Sequence, residues 1–137
     1  MCKTIKQKVK FQASPLTIYT LLANAKKLCA FTGKEASMDE TIGGRFSSYE
    51  GSIAGINVDL LPGKRIVQAW REQKFPEGIF SMATFNLVPT QDGGTELTLT
   101  HRGVPKELIP RISAEWRELY WNKIKQFLNT SKRGMQQ

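Results

Sequence analysis

Near the end of this chain Ile109, Ile112, Trp116, Tyr120, Ile124, Phe127 and Leu128 recur at steps of three and four residues. That spacing puts them on one face of an amphipathic α-helix of about five turns. Arg111, Glu115, Arg117, Glu118, Lys123 and Lys125 fill the remaining surface. The apolar face is wide and aromatic, so it must lie against something large. The rest of the chain therefore has to supply a broad apolar surface.

That surface is legible as strands. Over residues 3–12, Ile5, Gln7, Val9 and Phe11 alternate with Lys6, Lys8 and Lys10. A period of two with a charged outer face is a half-buried strand, and the lysines discourage edge-to-edge pairing. Ser14-Pro15 reads as an N-cap and first helical residue, with Ile18, Leu21, Leu22 and Leu28 at helical spacing behind it. Asn24 divides this stretch into two short helices, and Phe31-Thr32-Gly33 ends it.

Further strands are expected over residues 36–39, 45–50, 53–61, 65–72, 80–88 and 95–102. Gly43-Gly44, Pro62-Gly63 and Gln91-Asp92-Gly93-Gly94 mark turns, and Gly55 a bulge or twist point. A strand, two short helices, a run of antiparallel strands and one long helix make an α+β layout. The expected fold is a curved antiparallel sheet wrapped around the C-terminal helix.

With 137 residues, 40% hydrophobic and 23% charged, the chain suits one globular domain, residues 1–137, with a core over about 3–130 and a flexible tail over 131–137. No apolar run reaches the roughly 20 residues of a membrane span, and the N-terminus lacks an apolar signal core. A cytoplasmic protein is expected. Cys2 and Cys29 lack metal-ligand spacing and read as reduced thiols. Cys2 is expected at the surface and Cys29 as a small core hydrophobe at a helix end.

The net charge is +8, and its layout matters more than its size. Seven lysines and no acid lie between Met1 and Lys34. Seven more basic residues fall between Val104 and Gln137, against Glu107, Glu115 and Glu118. Basic ends favour an acidic partner. A solvated surface that only keeps the protein soluble is the other reading.

The sequence carries no recognisable catalytic signature. His101, the single histidine, shares a strand face with Leu97 and Leu99. No motif sets a serine or cysteine nucleophile beside it, so it reads as a packed or rim residue. Asp39-Glu40 fits a solvated turn and Asp59 a surface acid. No G-x-S-x-G, Walker A or dinucleotide fingerprint occurs. The expectation is a protein that is not an enzyme and holds no metal or cofactor. The aromatics Phe46, Trp70, Phe85, Trp116 and Tyr120 fall on faces predicted to be buried, so nucleic-acid binding is not expected either.

Several segments resemble a known family. Gly43-Gly44-Arg45-Phe46-Ser47, then Gly55, then Leu61-Pro62-Gly63-Lys64-Arg65-Ile66-Val67-Gln68-Ala69-Trp70-Arg71 is similar to the C-terminal domain of activators of heat-shock protein 90 ATPase. So are Gly94-Thr95-Glu96-Leu97-Thr98-Leu99 with Gly103-Val104-Pro105, and Trp116-Arg117-Glu118-Leu119-Tyr120-Trp121 followed by Ile124-Lys125-Gln126-Phe127. The resemblance runs from about Lys3 to Leu128. It implies a helix-grip fold of the START-like group (also called SRPBCC), the group of the birch-pollen allergen. That fold has two short helices closing one end and a cavity beneath the long helix. One departure is Glu115, where the family usually carries glycine. Fuller members carry a second, N-terminal domain that engages the chaperone's middle region, which these residues do not include.

Two functions follow as expectations. The first is a co-chaperone-like module for heat-shock protein 90, with Lys6, Lys8, Lys10, Lys26, Lys27 and Lys34 as candidate contacts. The second is a carrier of a small hydrophobic ligand, in a cavity lined by Phe46, Trp70, Phe85, Leu97, Leu99, Trp116 and Tyr120. An ordinary filled core is the plain alternative to that cavity.

Overall fold

A computed structural model describes residues 4–135. Cys2 lies outside them, as do residues 136–137 of the expected tail. The strands are β1 (Ile5–Phe11), β2 (Ser37–Met38), β3 (Arg45–Ser48), β4 (Ile53–Leu61), β5 (Arg65–Glu72), β6 (Ser81–Pro89) and β7 (Thr95–Arg102). They form one antiparallel sheet in the order β1-β7-β6-β5-β4-β3-β2. The chain thus runs as a meander from β2 to β7, and β1 closes it on the far side of β7.

Two short helices, α1 (Pro15–Ala23) and α2 (Ala25–Thr32), follow β1. Ser14 Oγ accepts from the Thr17 N–H at 3.2 Å, and Pro15 begins α1 where no intrahelical donor is needed. Asn24 is extended, so it ends α1, while its Oδ1 accepts from the Lys27 N–H at 3.1 Å and starts α2. Gly33 closes α2 at φ 73°, a left-handed position that suits glycine.

The C-terminal segment lies over the inner face of the sheet, as the wide apolar stripe requires. It comprises a 3₁₀ turn (Lys106–Leu108), α3 (Ile109–Glu115), a π-helical turn (Trp116–Trp121) and α4 (Asn122–Met135). Ile112, Trp116, Tyr120 and Ile124 are buried against Ile66, Phe85, Leu97 and Leu99 in one hydrophobic core. This is the helix-grip fold.

Four expectations are corrected. The terminal helix is not regular. In an unbroken α-helix Trp121 would sit about 140° around from Trp116. The π turn adds a residue, so the Asn122 N–H reaches back five residues to the Arg117 carbonyl. Trp116, Tyr120 and Trp121 are thereby all buried together.

Gly55 is not the bulge. It pairs in register with both Phe46 and Trp70, and the register shifts between Asn57 and Asp59 instead. A Cβ on Gly55 would sit 1.8 Å from the Ala69 carbonyl oxygen and 2.8 Å from the Phe46 ring, so glycine is needed for close approach.

Cys29 is exposed rather than in the core. Helix α2 buries Leu28, Phe31 and Thr32, and Cys29 falls on its other face. Strand β3 also ends earlier than expected, at Ser48, because Tyr49 and Glu50 adopt φ of 51° and 59°.

Candidate functional site

The interior between sheet and helix holds a polar chain among aromatic rings. The Trp116 Nε1–H donates to His101 Nδ1 at 3.0 Å. An indole nitrogen can only donate, so Nδ1 carries a lone pair and the imidazole proton sits on Nε2. His101 Nε2 lies 2.7 Å from Ser81 Oγ and donates to it, while the Ser81 hydroxyl donates to the Trp70 carbonyl at 2.9 Å. Burial pushes the His101 pKa down to about 3, so the ring is neutral.

This serine beside the histidine was not foreseen from sequence. Its polarity runs the wrong way for activating a nucleophile. A general base must present a lone pair to the serine proton, and here the imidazole presents its own proton. Trp70, Ser81, His101 and Trp116 are all buried, and both imidazole nitrogens and the serine hydroxyl are partnered. The arrangement fixes the helix to β5, β6 and β7.

Other polar ties hold the π turn. Gln7, an inward residue of β1, accepts from the Trp121 Nε1–H at 2.7 Å and donates to the Ser113 carbonyl at 2.9 Å. Ser48 Oγ lies 2.8 Å from the Tyr120 hydroxyl. The left-handed Tyr49 donates its hydroxyl to the Leu119 carbonyl. Burial raises the pKa of both tyrosines above the ordinary phenol value, so both stay protonated. At the other end, Arg111 lies 3.2 Å from the buried Glu72 and 3.0 Å from Glu115. Glu72 Oε2 lies within ion-pair distance of the guanidinium but lacks hydrogen-bond geometry, whereas Oε1 accepts from both Arg111 and the Lys74 N–H. Gln7, Ser48, Tyr49, Ser81 and Trp121 were all missed by sequence reasoning. Only Gln7, a polar residue on an apolar strand face, carried a signal.

The seven residues expected around a cavity, Phe46, Trp70, Phe85, Leu97, Leu99, Trp116 and Tyr120, are all buried in the core. Phe46, Phe85, Trp116 and Tyr120 share a small void with Leu22, Leu28, Met38, Ser48 and Gln68; Trp70, Leu97 and Leu99 do not line it. The void measures about 10 Å³, room for about one water molecule. Trp70 and Trp116 instead pack with ring centroids 5.4 Å apart, and Phe85 meets Trp116 at 5.5 Å.

The six candidate contact lysines are exposed and fall into two groups. Lys6, Lys8 and Lys10 form a row on the outer face of β1, the edge strand beside β7 among the described residues. Lys26 and Lys27 lie on α2, which packs on α1 and α4, and Lys34 follows its cap. Among the described residues none of the six is ion-paired, no cluster of three potential metal ligands occurs, and no helix is long and apolar enough to cross a membrane.

A sheet gripping a helix through a closely packed aromatic interior defines an α+β helix-grip domain. The chain belongs to the family described as Activator of Hsp90 ATPase homolog 1-like protein, whose profile matches residues 12–129. It is similar to the activator of 90 kDa heat shock protein ATPase homolog of Dictyostelium discoideum, 34% identical over 123 residues, covering 90% of this chain and 32% of that protein. It is equally similar to the human activator of 90 kDa heat shock protein ATPase homolog 1, 34% identical over 125 residues, covering 91% of this chain and 36% of the relative. The chain therefore spans about a third of the length of these relatives. The crystal structure of an HSP90 activator from Plasmodium falciparum shares the fold, with a TM-score of 0.87, 22% identity and coverage of 92% of this chain and 96% of that one.

Proposed function

We propose that this chain is a non-enzymatic, co-chaperone-like module that binds heat-shock protein 90 and acts on its ATPase by preferring one state of the chaperone. The observation that carries this reading is the family match over residues 12–129, with relatives named as activators of that ATPase. A domain without a catalytic group can change the turnover of a partner only through differential affinity for the partner's states. The direction of the Ser81–His101 hydrogen bond supports a structural interior rather than a catalytic one.

The exposed lysines supply the attraction. Lys6, Lys8 and Lys10 on β1, with Lys26, Lys27 and Lys34 around α2, suit an acidic partner surface and would raise the association rate at low salt. The reading places the protein in the cytoplasm and involves neither nucleic acid nor a bound cofactor. With space for about one water beneath the helix, no observation favours the hydrophobic-ligand carrier.

The test is chaperone ATP turnover and direct binding, measured with the purified chain at low and at high salt. Stimulation and binding at low salt, weakened by salt and by Lys→Glu changes among these lysines, are expected. A chain that neither binds the chaperone nor alters its turnover at low salt ends this proposal.

A further inference from the structure

An antiparallel sheet with one face on the core commonly turns polar side chains outward. One row of this sheet does not. The pairings Arg45–Ile56, Ile56–Ala69, Ala69–Met82 and Met82–Arg102 form a single row across β3, β4, β5, β6 and β7. Its three central residues are apolar and its two ends are exposed arginines. Ile56 is 39% and Met82 40% exposed. Val58, at the β4 register shift, and Phe80, beneath the Arg71 guanidinium at 5.7 Å, are further exposed apolar residues next to β4 and β6 positions of the row.

The charge around this patch is predominantly basic. The next outer rows run Asp59–Val67–Thr84–Thr100–Lys6 and Leu61–Arg65–Asn86–Thr98–Lys8. Asp59 is already paired with Arg65 at 2.7 Å, and Glu96 stands opposite Lys10. Arg45, Arg102, Lys6 and Lys8 are left without an ion pair among the described residues. Aliphatic residues and methionine at the centre with arginine at the margin is the make-up of a protein–protein contact. A second copy of the chain fits poorly, since its basic rim would meet this one. Nucleic acid fits poorly too, since Ile56, Ala69 and Met82 offer phosphates nothing.

We infer that the outer face of the sheet, centred on Ile56, Ala69 and Met82 between Arg45 and Arg102, docks an acidic protein face with an apolar centre. This rests on the function proposed above, with the chaperone as the partner. It also separates the two lysine groups, because the β1 lysines extend this face and those around α2 do not.

The experiment measures binding of heat-shock protein 90 to the wild-type chain and to two double variants, Ile56→Thr with Met82→Thr and Arg45→Glu with Arg102→Glu. Circular dichroism and thermal melting check that each is folded. All four positions are solvent-exposed, and threonine keeps the strand preference. Each folded variant is expected to bind at least about tenfold more weakly. Wild-type binding with both variants unimpaired overturns this inference and leaves the proposed function standing. A wild-type chain that does not bind removes that function, and this assignment with it. Variants that bind the chaperone normally but lose self-association or adhesion to anionic phospholipid vesicles also overturn it.

Discussion

Trp116 and His101 meet in the interior through one hydrogen bond, 3.0 Å from the indole Nε1 to the imidazole Nδ1. Because the indole cannot accept, this bond selects the imidazole tautomer and opposes its protonation. A second proton at Nδ1 would set donor against donor. The bond therefore ties helix position to charge state, and the ring stays neutral while the helix is gripped.

An acid-labile fold is the first consequence. The unfolded histidine takes up its proton near pH 6.5, whereas burial delays uptake in the folded protein to about 3. Between these values the unfolded chain holds more protons, so stability falls as pH falls. The loss from this group should reach about 3 kcal/mol by about pH 4. His101→Gln, which can accept from Trp116 and donate to Ser81, should lack that component. Urea unfolding across this range compares the two, and parallel pH profiles would refute the assignment.

The π turn should tolerate removal of its extra residue. Deleting Glu118, an exposed position, leaves Tyr120 and Trp121 three and four residues beyond Trp116, both still facing the sheet in a plain α-helix. The variant should fold, at a cost of about 1–3 kcal/mol from disturbed ties such as Tyr49 to Leu119. Thermal melting and near-ultraviolet circular dichroism measure this. A variant without tertiary signal would mean that the π geometry is itself required.

Gly55→Ala should be among the most damaging single-methyl changes in the protein. Its Cβ would lie 1.8 Å from a strand backbone oxygen, which cannot swing aside like a side-chain end. A loss above about 3 kcal/mol, or failure to fold, is expected. Near-wild-type stability in a denaturant titration would contradict the β4–β5 packing.

Cys29 should react with a thiol reagent in the native state. It is exposed on α2, so in a Cys2→Ser background one thiol should titrate without denaturant. Reaction only after unfolding would place it in the core, as its small apolar character had suggested.

Most of the architecture was legible because it follows from local period. The β1 and C-terminal helix patterns, Ser14 and Asn24 as caps, and the limits of β4, β5 and β7 all come from residues a few positions apart. The interior ties were not legible. Gln7 is 114 residues from Trp121, and Ser48 is 72 from Tyr120, so no local spacing announces either pair. For the same reason, the periodicity does not place Trp121 in the core. On a regular helix it leaves the apolar stripe, and only its partner on β1 makes the extra residue worthwhile.

By itself the order of apolar and polar residues determined that a sheet must wrap a long aromatic helix, since no other surface in the chain could cover that stripe. The tertiary structure alone decided where the helix widens into a π turn, which nitrogen of His101 carries the proton, and which arginines flank the apolar row outside. These depend on groups distant in sequence and adjacent in space, where hydrogen-bond direction and close packing, rather than periodicity, choose among the alternatives.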